Sequence, residues 1–172
     1  MKIAVLSGKG GTGKTTVSLG LFSVLDQATL IDADVEEPND HLFLDFHVDK
    51  VSSIIKEYPK VDMDKCTLCG KCGDFCNFNA ILPTKKTVLV YDDLCHDCGG
   101  CKLVCPSGAI TYIPKEIGKI YQSSVGSKTF NYGDLNVGEI SGVRIINQLK
   151  KQIESKELVV IDSPPGTSCA TV

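Results

Sequence analysis

The sequence lacks a long apolar run, an excess of positive charge and an N-terminal targeting segment. No stretch approaches the roughly 18 consecutive apolar residues of a membrane-spanning helix, and residues 2–6 (KIAVL) predict a strand where a secretory signal would begin. The 18 Lys and Arg residues against 21 Asp and Glu residues give a net charge of −3, which offers no electrostatic argument for a nucleic-acid partner. We therefore expect a cytoplasmic protein without a membrane segment.

Cysteine is unusually frequent, with nine in 172 residues. Eight of them form two runs with the spacing C-x2-C-x2-C-x3-C, and the second run starts 29 residues after the first. The repeat extends beyond the cysteines, because Asp64 matches Asp93 and Gly70 matches Gly99 at the same offset. Clustered cysteines in a cytosolic protein indicate metal ligands and not disulfides. The two runs are Cys66, Cys69, Cys72 and Cys76, and Cys95, Cys98, Cys101 and Cys105.

A glycine-rich segment follows the first predicted strand and precedes a predicted helix at residues 16–25. Residues 8–15 fit the phosphate-loop pattern G-x-x-x-x-G-K-[ST], in which successive backbone N–H groups and the helix N-terminus surround phosphate oxygens. In this pattern Lys14 reaches the β- and γ-phosphates, and the Thr15 hydroxyl ligates Mg²⁺. The candidate nucleotide-binding residues of the loop are Gly8, Lys9, Gly10, Gly11, Thr12, Gly13, Lys14, Thr15 and Thr16.

The loop also carries an additional lysine at its start. Residues 9–16 (KGGTGKTT) resemble the deviant Walker A loop of the MinD/ParA/Mrp superfamily of P-loop ATPases, which includes the nitrogenase iron protein. The resemblance implies ATP as the nucleotide and Mg²⁺ as its counter-ion. It further implies a homodimer in which Lys9 reaches the phosphates of the partner's nucleotide; a solvated loop lysine is the alternative.

Carboxylates follow a second predicted buried strand at residues 28–31. In open parallel sheets ligands bind beside the carboxyl ends of strands, so we expect these side chains near the phosphate loop. Residues 32–39 (DADVEEPN) resemble switch I of the same superfamily. The resemblance makes Asp34 the residue that positions the attacking water, and it places Asp32 near the Mg²⁺ shell. Helix capping is the alternative for both aspartates.

Another aspartate ends the predicted buried strand at residues 158–161. Residues 162–167 (DSPPGT) resemble Walker B and switch II of the superfamily. Asp162 is then expected to hold Mg²⁺ through water, and the Gly166 N–H to sense the γ-phosphate. The ninth cysteine, Cys169, lies at an offset where the nitrogenase iron protein has a cluster-bridging cysteine. That protein needs a second such cysteine per subunit, which the sequence does not offer, so we expect a buried thiol without metal.

The paired cysteine runs resemble the bacterial two-cluster ferredoxins, in which the fourth cysteine of each run ligates the other cluster. The resemblance implies two [4Fe-4S] clusters. Asn77 follows Cys76 where that pattern usually has proline, a change to the local turn that keeps the ligand. Zinc is the alternative metal, although zinc sites usually pair two C-x2-C units across a longer spacer. The first cluster is assigned to Cys66, Cys69, Cys72 and Cys105, and the second to Cys95, Cys98, Cys101 and Cys76.

We expect an α/β fold, in which a parallel-sheet P-loop nucleotide-binding domain carries an inserted α+β ferredoxin module of the bacterial type. The predicted segments are 1–56 and 116–172 for the nucleotide domain and 57–115 for the insert. Because members of the superfamily continue beyond switch II with further strands and helices, we expect a nucleotide domain truncated at its C-terminal end.

Three secondary-structure predictions concern the segments around the insert. Residues 119–122 and 128–132 flank a polar, glycine-containing stretch and predict a hairpin. Residues 141–155 show the apolar spacing of an amphipathic helix. Residues 51–55 are interpreted as the continuation of a helix.

Three functions fit these patterns. The leading hypothesis is an ATPase whose nucleotide state is coupled to electron transfer toward an unidentified redox partner. Asp34 would orient the attacking water, while Lys14 and Lys9 stabilise the transferring charge. The second is an iron–sulfur carrier of the Mrp type that delivers clusters to apo-proteins, although eight interleaved cysteines favour retention. The third is a MinD/ParA-like positioning or regulatory ATPase with structural or sensing clusters.

Overall fold

The chain divides into two compact units in a computed structural model that describes residues 1–139 and 141–166. One unit comprises residues 1–54 and the chain from Ile117 onward, and the other comprises residues 55–116. The expectations for Thr167 and Cys169 concern residues outside the described part of the chain. Among the described residues, no helix has both the length and the apolar character of a membrane span.

Strands and short helices alternate along the described chain. The strands are β1 (Lys2–Val5), β2 (Thr29–Asp32), β3 (Val48–Val61), β4 (Ile81–Pro83), β5 (Val88–Val90), β6 (Ile110–Val125), β7 (Lys128–Leu135) and β8 (Val159–Asp162). The α-helices are α1 (Lys14–Val24), α2 (Lys71–Phe75), α3 (Gly100–Leu103) and α4 (Val143–Gln152), and 3₁₀ turns lie at Asp40–Phe43 and Asp92–Leu94.

Six of the strands form one mixed sheet in the order β1-β8-β2-β7-β6-β3. Strand β8 pairs in parallel with β1 and with β2, and β2 pairs in parallel with β7. Connections between parallel strands of one sheet must cross over it. Helix α1 lies in the connection from β1 to β2, which have β8 between them in the sheet, and α4 lies in the connection from β7 to β8, which have β2 between them. The predicted fold class, an α/β domain built on a parallel sheet, is confirmed.

The core of the first unit lies between the middle of the sheet and its covering helices. All four residues of β2 are buried, as expected for a parallel strand with both faces covered. Phe22 of α1 packs in one apolar cluster with Leu30, Phe130 and Val160, each at most 2% exposed. On α4, Ile145, Ile146 and Leu149 are buried and Lys150 is exposed, as expected for an amphipathic helix.

The hairpin prediction is confirmed, since β6 and β7 pair antiparallel from Gly118 with Leu135 to Val125 with Lys128. The predicted helix at residues 141–155 is observed as the shorter α4. The prediction of a helix at residues 51–55 is wrong, because these residues lie within β3. The β-branched side chains of this segment favour the extended conformation. Ser52 and Ile54 are also less exposed than their neighbours, an alternation with the strand period of two.

The second unit contains the cysteine repeat, and its two halves share local geometry. Helices α2 and α3 begin directly after Gly70 and Gly99, whose φ angles of 85° and 77° lie in the left-handed region that glycine adopts at low cost. The strands β4 and β5 form a two-stranded antiparallel ribbon. The sequence repeat of 29 residues is therefore also a repeat of local structure.

Candidate functional site

The phosphate loop joins β1 to α1, and its backbone is shaped by glycine. Gly11 and Gly13 have φ angles of 71° and 89°, which a residue with a Cβ atom adopts only under strain. A Cβ atom placed on Gly8, Gly10, Gly11 or Gly13 would meet no heavy atom within 4 Å. The loop therefore borders open space at the start of a helix, where an anion is stabilised by the unpaired helical N–H groups.

An open cavity of about 540 Å³ lies over this loop. Its walls include loop residues from Gly10 to Thr16 together with Asp34, Asn39 and Asp162. The structure thus brings Lys14 and Thr15 of the loop together with the aspartates that follow β2 and end β8. Gly8 and Lys9, which were also predicted to bind nucleotide, are not among the residues that line this cavity. The Gly166 N–H donates to the Ser7 carbonyl at 3.0 Å, so its predicted contact with a γ-phosphate stays a prediction.

Asp162 is held by two hydroxyls of α1. Thr15 Oγ1 donates to Asp162 Oδ2 at 2.7 Å, and Ser18 Oγ donates to Asp162 Oδ1 at 3.1 Å. Hydroxyl and carboxylate oxygens are ligands that Mg²⁺ accepts in nucleotide sites, so Thr15 and Asp162 fit the ion that the phosphate loop implies. Ser18 was missed from the sequence, although its position one turn after Thr15 places both hydroxyls on one face of α1.

Asp32 organises the backbone of the segment that follows β2. Its buried carboxylate accepts hydrogen bonds from the N–H groups of Asp34, Asn39 and Asp40 at 2.9–3.1 Å. Burial raises the pKa of Asp32 to about 6, against the opposing effect of these three N–H donors. The three N–H donors order the segment that follows β2, and the position of Asp32 near the Mg²⁺ shell stays a prediction.

Asp34 is more accessible than the buried Asp32, since it is only half-buried and lines the open cavity. Burial raises the pKa of the Asp34 carboxyl, and the nearby positive charge of Lys14 opposes that rise. A carboxylate near Lys14 in the wall of a phosphate site can accept a hydrogen bond from water. This is the placement that the role of orienting an attacking water requires.

Asp40 is a buried carboxyl that sequence reasoning missed. It is fully buried at the start of a 3₁₀ turn, and neither of its carboxylate oxygens has a hydrogen-bond partner among the described residues. Burial, followed by the negative charges of Asp32 and Asp162, raises the pKa of Asp40 to about 9. No periodicity marks this residue, because its environment is created by segments far apart in the sequence.

The eight repeat cysteines line two separate cavities of the second unit. Each cavity combines three cysteines of one run with the fourth cysteine of the other run. Four thiols are the donor set that a [4Fe-4S] cluster requires, so the residue types that line each cavity fit the group that the spacing implies. The first cavity is lined by Cys66, Cys69, Cys72 and Cys105, and the second, of about 210 Å³, by Cys76, Cys95, Cys98 and Cys101.

Burial and hydrogen bonding have opposite effects on the pKa of these thiols. Burial raises the pKa of the Cys72 and Cys95 thiols, so a metal must compete with a firmly held proton at these sulfurs. Hydrogen bonds act in the opposite direction, since the Asp97 N–H lies 3.4 Å from Cys95 Sγ and stabilises the thiolate. Apolar side chains form much of the wall of the second cavity and include Phe75, Phe78 and Ile81.

Comparison with known proteins supports both parts of this organisation. The family profile described as "CobQ/CobB/MinD/ParA nucleotide binding domain" matches residues 3–162. The uncharacterized proteins MJ0578 and MJ0579 of Methanocaldococcus jannaschii are 39% and 32% identical over 100% of this chain. The chain covers 62% and 64% of those relatives, which is less than two thirds of their length. Ferredoxin-1 of Rhodobacter capsulatus is 42% identical over 24% of this chain and 63% of its own length.

The buried Asp40 carboxyl leads to a prediction about stability. Its pKa of about 9 in the folded chain exceeds the ordinary value of 3.8, so the folded state binds an additional proton between these values and loses stability as the pH rises through this window. Asp40→Asn is expected to raise the free energy of unfolding by about 1–3 kcal/mol at pH 7 and by much less near pH 4. Urea unfolding of the Mg²⁺- and nucleotide-free protein at both pH values measures the difference.

Asp45→Asn provides the matched control, because Asp45 is exposed and the same substitution there should change stability by less than about 0.5 kcal/mol at either pH. A gain from Asp40→Asn that is equal at pH 4 and pH 7 would contradict the assignment of a raised pKa to Asp40.

Proposed function

This chain belongs to the CobQ/CobB/MinD/ParA family of nucleotide-binding domains, and from that premise we propose that it is an ATPase that couples its nucleotide state to electron transfer through two [4Fe-4S] clusters. One observation carries the proposal. A single polypeptide contains a phosphate-loop cavity in which Lys14, Thr15, Asp34 and Asp162 meet, and it also contains two cavities that are each lined by four cysteines.

The nucleotide chemistry assigns one task to each polar group of the loop cavity. Lys14 supplies positive charge for the β- and γ-phosphate oxygens, and Lys9 is proposed to do the same from the partner of a nucleotide-sandwich homodimer. Thr15 and Asp162 hold Mg²⁺, which neutralises negative charge on the phosphates when it is bound. Their 2.7 Å hydrogen bond orders both side chains in advance. Asp34 accepts a hydrogen bond from water and directs it toward the γ-phosphorus.

The iron–sulfur chemistry assigns the eight repeat cysteines to retention of clusters. Each four-thiol set draws on both runs, so release of one cluster would require both runs to open. A bound [4Fe-4S] cluster exchanges single electrons at a potential that depends on hydrogen bonds to its sulfurs and on solvent exposure. We propose retention and redox work with an external protein partner, and cluster delivery to an apo-protein is the competing outcome of the test below.

The coupling is tested by an anaerobic redox titration of the full-length protein, monitored by EPR with and without Mg-ATP. Mg-ATP is expected to move the potential of at least one cluster by about 30 mV or more, equivalent to about 0.7 kcal/mol for a one-electron couple. Intact clusters whose reduction potentials are the same with and without Mg-ATP would refute coupling and favour a structural or sensing role. Rapid transfer of the clusters to an apo-ferredoxin would favour carriage.

The role of Asp34 predicts a separation of catalysis from binding. Asp34→Asn is expected to reduce the steady-state rate of ATP hydrolysis by about 10²- to 10³-fold, while the affinity for Mg-ATP changes by only a few-fold because Lys14 and the loop amides are untouched. Hydrolysis is measured by phosphate release and affinity by calorimetry. Asp45→Asn, at an exposed position, should leave both values unchanged. Equal loss of affinity and rate would make Asp34 a binding residue instead.

Because each cavity takes cysteines from both runs, cysteines that are far apart in the sequence are expected to affect the same cluster. Cys76→Ala and Cys98→Ala lie in different runs but line the same cavity, so both should abolish the same EPR signal and lower bound iron from about eight to about four atoms per chain. Cys72→Ala, only four positions before Cys76 but in the other cavity, should abolish the other signal. Loss of one signal by both Cys72→Ala and Cys76→Ala would show that each run holds its own cluster.

A further inference from the structure

Hydroxyl groups contact two of the repeat cysteines in the described residues, and these contacts break the symmetry of the repeat. The Tyr112 hydroxyl lies 3.2 Å from Cys101 Sγ, and Ser107 Oγ lies 3.6 Å from Cys105 Sγ. At the repeat offset, Tyr112 corresponds to Pro83 and Ser107 corresponds to Phe78. Neither counterpart has a hydroxyl group. The shorter contact therefore belongs to one cavity and has no equivalent in the other.

The chemistry of the two groups determines the direction of the Tyr112 contact. A cysteine that ligates metal is a thiolate and can only accept a hydrogen bond, so the phenol must donate. Tyr112 is half-buried in the wall of the cavity that Cys101 also lines. The phenol of tyrosine carries its proton at neutral pH and is available as a donor. Lys102 Nζ lies 5.8 Å from the ring centroid and helps to hold the ring in place.

We propose that Tyr112 raises the reduction potential of one cluster, the one held by Cys76, Cys95, Cys98 and Cys101, by donating a hydrogen bond to the Cys101 sulfur. The inference rests on the proposed function, since it requires a cluster in this cavity. If a cluster bound in this cavity accepted one electron from an external one-electron donor, the negative charge on its sulfurs would increase. A donated hydrogen bond is stronger to the more negative acceptor, so it stabilises the reduced state more than the oxidised state.

The consequence is a difference between two cavities that the sequence repeat would otherwise make alike. Pro83 lies where the repeat places the counterpart of Tyr112, and Cys72 where it places the counterpart of Cys101, so Cys72 receives no phenol from this position. Tyr112 acts through Cys101 and not on a substrate. Its effect is therefore expected in the potential of a single cluster, while the number of bound clusters stays the same.

The test is Tyr112→Phe in the full-length protein, because this change removes the hydroxyl and keeps the ring. In an anaerobic EPR redox titration, the oxidised-to-reduced ratio of one signal at a fixed potential should rise by roughly threefold to tenfold, where tenfold corresponds to 59 mV for one electron. The signal that moves should be the one that Cys98→Ala abolishes. Tyr91→Phe, at a tyrosine of the same unit that is 44% exposed, should move neither signal.

A second variant is expected to shift the reduction potential of the same cluster in the opposite direction. Site-specific replacement of Tyr112 by 3-fluorotyrosine makes the phenol a stronger donor, so the ratio of the same signal should fall and its potential should rise. Two clusters whose potentials are unmoved by either change would overturn the role of Tyr112, as would equal movement of both signals. A wild-type protein that binds no iron would instead refute the proposed function, so the two failures are distinguishable.

Discussion

The parallel pairing of β8 with β1 on one side and β2 on the other is the constraint on which the nucleotide site depends. This register places Asp162 beside Val5, which precedes the phosphate loop, and beside Asp32, which begins the next polar segment. Because the three strands run in the same direction, their carboxyl ends meet at one edge of the sheet. Thr15 and Ser18 of α1 then reach Asp162 without any further adjustment of the backbone.

The same arrangement concentrates carboxyl groups in a place with little access to water. Asp32, Asp40 and Asp162 are each at most 3% exposed, and hydrogen bonds are donated to Asp32 by three backbone N–H groups and to Asp162 by the hydroxyls of Thr15 and Ser18. Burying like charges together lowers stability, so the cluster is better explained by a cation that joins it during function than by folding. Perturbed carboxyls of this kind concentrate at functional sites, and the cavity that contains Asp162 also contains the phosphate loop.

The second unit depends on a different constraint, which is the exchange of the fourth cysteine between two repeated halves. Because Cys76 joins the cavity of the second run and Cys105 joins that of the first, neither half can complete a four-thiol set alone. Similar local turns at Gly70 and Gly99 give the two halves a common backbone, and the differences between the cavities arise from side chains outside the cysteine runs. Tyr112 and Ser107 are two such side chains.

Much of the fold and of the candidate sites could be predicted from short sequence motifs. The phosphate loop, the two aspartate segments and the cysteine spacing could be recognised because each one depends on residue types at short, fixed separations, and the α/β class followed from strands that alternate with helices. The strand at residues 48–61 was misjudged because its pairing partner is distant in sequence. The burial of Asp40, the contact of Ser18 with Asp162 and the contact of Tyr112 with Cys101 were decided only when separate segments packed together. Hydrogen bonds and desolvation act through space, and a linear pattern does not record which side chains meet.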